Sequence, residues 1–588
     1  MTRAQAPSRH VNGNVAIIAL CVVALIMWLV AFGAWWLAAA ITGHSIPSNP
    51  FIAFGHARYR AQWSTLATAF TVIAEVALVA VAVWAAVRLT RGSEIDKRAR
   101  RSMAAPHELR EVSGRSAVEK AKRLRPEADL TQPGAVGLDL GSTVVGGVKV
   151  MQSWEDVLTA FAGPRTGKTA GLAVGSVIDA PGPVIATSNK RDLRDLTRGV
   201  REERGGRAWE SDLQGITGKA HQPWWWNPFG NVDSIATARR LAGRFVSAER
   251  VEDSRSDNYF DGGAKELIAL YFLAAAMGGG DIMHSYAWLG NEDNPLPALL
   301  LEKSGNAVAA AKVRTVKALN PRQRDGVYDV ARRNLNVLTE PRYMQTVLPP
   351  RRHLFPNDQS ALGDWAPTHS LPEFDPAAFV RSTDVLYALS MEGADSATAL
   401  VTALAGRIID EGLALARRSP GGRMPTPMVA VFDEAANVCK LNELPEWYSH
   451  LGSQGIICQT YLQSPAQAAK VWSPKQLEQL IAASNFHYYG GGVKDTNYLG
   501  EIERTIGNHD VSRWSASEST GGRSHSQSWS AESAVPVSLL AKLDKDRAVI
   551  MSTGNAPVLV RKAWWSERPD AEAIRRSKRK YDPDKEAA

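Results

Sequence analysis

A mostly parallel α/β sheet built around a phosphate-binding loop, preceded by an apolar N-terminal anchor, is the fold this sequence predicts. Three observations predict it. Residues 162–169 read Ala-Gly-Pro-Arg-Thr-Gly-Lys-Thr, which fits the P-loop pattern of a small residue, four variable ones and Gly-Lys-Thr. Short apolar runs of strand length alternate with helical stretches on either side of a long helical block. Two long apolar segments open the chain.

The loop comes first because its context is specific. Asp156–Phe161 reads as a strand and Ala170–Ile178 as the helix behind it. Gly163 and Gly167 let backbone N–H groups turn inward around phosphates. Lys168 reaches the β- and γ-phosphates, and the Thr169 hydroxyl is offered to Mg²⁺. The start of the following helix adds the positive end of its dipole. Gly163, Pro164, Arg165, Thr166, Gly167, Lys168, Thr169 and Ala170 are the expected nucleotide-binding residues.

A P-loop that turns over its nucleotide needs an acidic partner at the end of another strand. Met428–Phe432 is a continuous apolar run, as expected of a strand buried on both faces, and it ends in Asp433-Glu434. Asp433 is expected to hold Mg²⁺ and Glu434 to polarise the attacking water. Gly455–Leu462 reads as the next strand, with Gln463-Ser464 at its end. The Gln463 amide is placed to sense the γ-phosphate; a plain strand cap is the alternative. The catalytic set is thus Glu434, Lys168 and Gln463, and the metal set Thr169 and Asp433.

Length and charge narrow the class. A chain of 588 residues holds two or three domains. Its three cysteines, Cys21, Cys439 and Cys458, are too dispersed for a disulfide framework or a zinc site and read as buried thiols. The net charge is +8, and residues 88–125 alone hold twelve Lys/Arg against five Asp/Glu. The rest of the chain is therefore close to neutral, which argues against a protein that coats nucleic acid along its whole surface.

Val15–Ile41 carries no charge and Trp63–Val87 only Glu75, and both are long enough to cross a bilayer. Arg58 and Arg60 are the only charges between them, whereas Arg88, Arg91, Lys97, Arg98, Arg100 and Arg101 follow the second. The positive-inside rule then predicts a two-pass anchor in the bacterial inner membrane, with both termini in the cytoplasm. Trp28, Trp35, Trp36, Trp63 and Trp84 supply interface anchors, Glu75 reads as a helix–helix contact, and the basic linker faces lipid headgroups.

The remaining chain divides by pattern. Gly137–Val150 reads as a hairpin and Pro183–Thr187 as a buried strand whose end lies beside the nucleotide. Trp224–Trp226 reads as packing between segments, with stacking on bases as the alternative. Helical patterns cover 236–245, 263–277, 296–301, 307–319 and 325–338, with hardly a strand among them. The sheet resumes at Asp384–Ser390. The Ser-rich stretch 512–533 is consistent with a hairpin or with a flexible loop, and the basic end 575–580 with a solvated tail.

Taken together these motifs resemble the type IV secretion coupling proteins of the TraG/TraD class, in an actinobacterial-like branch. The resemblance is carried by the two N-terminal spans, Ala162–Thr169, Thr187–Leu193, Val431–Val438 and Gln463-Ser464. Tyr489–Thr496, Val537–Leu543 and Gly554–Val558 carry it further, so that it covers residues 14–566. It implies a membrane-anchored RecA-like ATPase with an all-helical inserted domain and two transmembrane helices. The implied domains are an anchor at 1–87, a basic linker at 88–134, a RecA-like domain at 135–235 and 371–566, an all-α insertion at 236–370 and a charged tail at 567–588. ATP and Mg²⁺ are the implied cofactors. The implied partners are single-stranded DNA delivered through a relaxase, the relaxosome, type IV secretion channel proteins, membrane lipids and five further copies in a hexamer. Relatives often carry an arginine before the Gly-Ile strand, where this chain has Gln454, so the resemblance leaves the arginine supplied in trans unassigned.

Two other classes share these features. A double-strand DNA translocase of the FtsK type is also anchored and hexameric, and would carry a C-terminal winged-helix reader. A membrane scaffold that binds nucleotide without efficient turnover, recruiting substrates by interaction, is kept open by the missing arginine.

Overall fold

The structure, a computed structural model, describes residues 13–90, 93–218, 220–249, 258–353, 365–393, 395–469, 471–519 and 522–582, with side chains at 13–24, 81–90, 258, 511–519 and 522–527 left aside. Cys21, Trp84 and Arg88 as side chains, and Arg91, Thr520 and Gly521 as residues, lie outside this description. The chain forms two units, Met1–Ser102 with Asn508–Ala534, and Met103–Gly507 with Val535–Ala588.

In the first unit, helices Gly13–Ile41 and Thr65–Thr90 pack on each other. Trp35, Ala38 and Ala67 on them are buried together with Ala53 of the short helix Pro50–Gly55, and the Phe54 and Trp63 rings lie tilted 5.1 and 5.3 Å from the Trp35 ring. The helices are 29 and 26 residues long, although their described side chains cover only 25–41 and 65–80. Among the described residues alone, no helix is long and apolar enough to cross a membrane. The Ser-rich stretch is a hairpin: Asn508–Ser519 pairs antiparallel with Gly522–Ser533 in one unbroken register.

The second unit is built on an eleven-stranded sheet. In chain order the strands of the molecule are β1 Leu138–Thr143, β2 Lys149–Gln152, β3 Leu158–Phe161, β4 Val184–Ser188, β5 Ala208–Asp212, β6 Arg351–His353, β7 Trp365–Pro367, β8 Val385–Leu389, β9 Met428–Phe432, β10 Ile456–Leu462, β11 Phe486–Tyr489, β12 and β13 of the hairpin, β14 Arg547–Ser552 and β15 Val558–Arg561. The sheet order is β2-β1-β15-β14-β11-β3-β10-β9-β4-β8-β5. From β11 to β5 every neighbour is parallel, and from β11 to β2 every neighbour is antiparallel. The central strands β3, β4, β8, β9 and β10 are buried along their whole length, which is why they are mostly apolar.

Between β5 and β8 the chain is largely helical, at Ile235–Glu249, Asn258–Met277, Ile282–Leu289, Leu296–Lys303, Ala307–Lys317 and Pro321–Asn334. The short antiparallel ribbon β6–β7 also falls here, so the segment is not purely α. Asp281 starts the third of these helices: its carboxylate accepts from Met283 N at 2.9 Å and pairs with Arg352 Nε at 2.9 Å. The three consecutive tryptophans pack rather than stack openly. Trp224 and Trp226 are fully buried, and Trp224 Nε1 donates to Glu210 O at 3.0 Å.

Two expectations are corrected. The basic end is an amphipathic helix, Ala571–Tyr581, that seats Ala571, Ile574 and Ser577 against helix Asp192–Glu203. Its charges line the outer face, so composition alone hides the buried stripe. The linker is partly packed too: Ala117 and Ala121 are buried, and Lys120 Nζ lies 3.1 Å from Glu155 and 3.3 Å from Asp156.

Candidate active site

The site forms where three parallel strands end side by side. β10 pairs with β3 on one edge and β9 on the other, so Phe161, Phe432 and Leu462 finish at one edge of the sheet. Each is followed at once by polar residues: the P-loop after β3, Asp433-Glu434 after β9, Gln463 after β10. Ligands in parallel sheets bind at this carboxyl edge.

The loop is held by backbone on both sides. Ala162 N donates to Leu462 O at 2.9 Å and Gly163 N to Gly491 O at 2.9 Å. The Gly163 N–H is thus engaged within the protein, and its glycine is required for another reason: a Cβ there would lie 2.2 Å from Gly492 O. Gly167 sits at φ +82°, and a Cβ there would lie 2.3 Å from the Trp564 ring. Arg165 is also left-handed, at φ 61°, so successive residues of the loop alternate in hand as in an anion-binding nest. The helix beyond opens with one π-type turn, Thr169–Ala173, a form that recurs at functional sites.

The acidic residues close the site from the other strands. Thr169 Oγ1 donates to Asp433 Oδ2 at 3.1 Å, and Lys168 Nζ lies 3.3 Å from Asp433 Oδ1 and contacts Glu434 Oε1 directly. Gln463 Nε2 donates to Glu434 Oε2 at 2.7 Å. Lys168, Thr169, Asp433, Glu434 and Gln463 therefore form one connected cluster. Glu434 holds φ 56°, an uncommon left-handed setting for a residue with a side chain, of the kind that gathers at active sites.

Burial raises the Asp433 carboxyl above the ordinary carboxylate range, against the pull of Lys168. Its Oδ1 is buried and accepts no hydrogen bond. A buried carboxylate beside a threonine hydroxyl, with one oxygen facing only the Lys168 ammonium at 3.3 Å, suits a hard divalent cation, so these residues fit Mg²⁺. Two buried thiols, Cys439 and Cys458, are pushed up by burial and stay outside this chemistry.

Sequence reasoning left two parts of the site without a role. Gly490–Gly492, after β11, embraces the loop from the side: Gly490 N donates to Phe161 O at 2.8 Å. Lys562, after β15, is buried beneath the loop and donates from Nζ to Thr166 O and Gly490 O at 2.8 Å each. Nothing local marks Lys562, which lies nearly four hundred residues from its partner. The strand end Ser188–Arg191 is near the site, but Arg191 turns to Asp195 and Asp582.

A P-loop on a parallel sheet, faced by an acidic pair from the second neighbouring strand, defines a nucleotide-site protein of the RecA-like architecture. Residues 113–347 match the family described as type IV secretory system conjugative DNA transfer, and residues 427–545 the one described as the TraM recognition site of TraD and TraG. The two matches together take in more than half of the chain, and the chain belongs to the type IV secretion coupling-protein family. Among solved structures, the bacterial conjugative coupling protein TrwBdeltaN70, in a trigonal form with sulphate, is similar with a TM-score of 0.51. It is 14% identical, over 77% of this chain and 93% of that one. The plasmid coupling protein TrwB with ADP and Mg²⁺ gives a TM-score of 0.49 at 14% identity, over 76% of this chain and 92% of that one. At this identity the first likeness is one of fold. No curated protein matches the sequence.

Proposed function

We propose that this chain is a membrane-anchored ATPase that couples a DNA substrate, or a protein joined to DNA, to a type IV secretion channel. The observation that carries the reading is the single cluster of Lys168, Thr169, Asp433, Glu434 and Gln463 on a P-loop fold of the coupling-protein family.

The residues divide the work. The loop N–H groups and Lys168 receive the β- and γ-phosphates, which draws the ammonium away from Glu434. Glu434, released from that ion pair but still held by Gln463, is then free to orient and polarise water. Thr169 Oγ1 and Asp433 hold Mg²⁺, which when bound neutralises charge on the phosphates. Burial makes Asp433 costly as a bare anion, and this favours cation capture at that position.

The anchor follows from helices Gly13–Ile41 and Thr65–Thr90, whose lengths suffice to span a bilayer. Ile73, Val76 and Val79 are each more than half exposed on one of them, which suits lipid rather than water. With the positive-inside rule both termini lie in the cytoplasm of a two-pass protein of the inner membrane. The RecA-like domain takes in 135–235, 371–507 and 535–566, with the largely helical segment 236–370 inserted in it and the hairpin 508–534 belonging to the other unit. Family likeness supports a working hexamer and a relaxase-bound single strand as cargo. Purified full-length protein should hydrolyse Mg-ATP, and Lys168→Ala should lower the rate at least a hundredfold; equal rates would overturn the reading.

A further inference from the structure

Among the described residues, Lys562 is a buried lysine tied to the phosphate loop that the proposed reaction does not use. Its side chain is 2% exposed, and its stem crosses Gly171, where an added Cβ would lie 3.2 Å from Lys562 Cβ. Its ammonium gives two 2.8 Å hydrogen bonds, to Thr166 O in the loop and to Gly490 O beside it. The residues after it continue along the same helix. The Trp564 ring covers Gly167, and Arg568 reaches Gly175 and then Asp179, which it grips with two bonds of 2.7 and 2.8 Å. Gly167, Gly171 and Gly175 are four residues apart, so they form one stripe of the P-loop and its helix, and the segment 562–568 lies along that stripe as a strap.

We propose that Lys562 is a positioning residue for nucleotide: it fixes the Thr166 carbonyl outward, so that the following N–H groups face the phosphates, and it places a second positive charge behind the loop. The inference rests on the reading of the loop as an ATP site. Carbonyl and N–H of one peptide unit point in opposite directions, so tying the Thr166 carbonyl to the ammonium turns the Gly167 N–H toward the anion. The charge sits where little water screens it.

The same burial makes the charge titratable. It brings the Lys562 ammonium down to about 8. The charged groups that act on it are Asp546, which favours the ammonium, and Lys545, which opposes it. The Tyr488 ring flanks Gly490 beside it. A neutral amine keeps two N–H donors, so deprotonation leaves the loop tied but removes the charge. Phosphate binding favours the ammonium, and affinity should therefore fall as pH rises through this range.

The test is Mg-ADP affinity of the full-length protein by calorimetric titration at pH 7, 8 and 9. Lys562→Met should weaken binding roughly tenfold or more at pH 7, since it strands two buried carbonyls. Lys562→Arg should restore most of it, and the fall between pH 7 and 9 seen in the wild type should vanish in both variants. Binding by Lys562→Met within twofold of wild type overturns the proposal, as does the same pH profile in wild type and Lys562→Arg. The second comparison decides the matter if Lys562→Met does not fold. Binding that is lost in Lys168→Ala but indifferent to Lys562 sinks this inference alone; a wild type that binds no Mg-ADP sinks the ATP site with it.

Discussion

At the residue scale the site combines a stabilising cluster with a costly one. Asp433 has its carboxyl raised by burial, so the native chain holds that proton more tightly than the unfolded chain does. Stability from this group therefore falls as pH rises out of the ordinary carboxylate range, and at neutral pH the anion is a burden. Asp433→Asn should raise the melting temperature of the nucleotide-free protein by about 1–3 °C while removing Mg-ATP turnover, a trade-off typical of active sites. Thermal melts beside hydrolysis rates check both halves. Gly406 carries the opposite kind of constraint. A Cβ there would lie 2.3 Å from Arg244 Nε, and that buried guanidinium is held at 2.8 Å by Asp410 and 3.1 Å by Glu443. It has no room to step aside, so Gly406→Ala should cost about 1–3 kcal/mol in chemical unfolding.

Much of the site could be read from the sequence at this scale, because the P-loop, the acidic pair and Gln463 each follow a strand that announces itself. Lys562 and Gly490–Gly492 could not, since their roles depend on where β11 and β15 lie in the sheet. The P-loop pattern alone assigns Gly163 to freeing an N–H for phosphate, whereas in the fold it admits the Gly492 carbonyl.

Among the elements, legibility followed burial. β3, β4, β9 and β10 lie within a parallel sheet buried on both faces; β9 appears in the sequence as an unbroken apolar run and the others as mostly apolar ones, with Thr159, Thr187, Gln459 and Thr460 among their polar residues. β11 carries His487 in its middle and gave no such run; burial lowers that imidazole to about 4 and keeps it neutral between Phe161 and Tyr498. The last helix was hidden by its basic composition. Ser577 Oγ donates to Asp195 O at 2.7 Å and accepts from Gly199 N at 2.9 Å, and a Cβ on Gly199 would lie 3.0 Å from Ser577 Cβ. So close a seat admits only a small side chain. Ser577→Leu should cost about 1–3 kcal/mol, whereas Arg575→Leu on the exposed face should cost under about 0.5 kcal/mol. Paired unfolding curves separate the two.

For the whole molecule, the proposed anchor, the mostly parallel sheet and the helical segment make sense as one machine only if nucleotide turnover answers to cargo. The two long N-terminal helices were legible as two apolar runs, and the helical segment as a change of period between β5 and β8. The eleven-stranded sheet was less so, because the antiparallel half returns from the far end of the chain and no local pattern joins β15 to β1. The most direct measurement is ATP hydrolysis by the full-length protein in detergent, titrated with single-stranded and double-stranded DNA, with Glu434→Gln alongside. The account predicts strong stimulation by single strands that disappears in Glu434→Gln. Turnover that is indifferent to DNA, or equal in the two proteins, would contradict it.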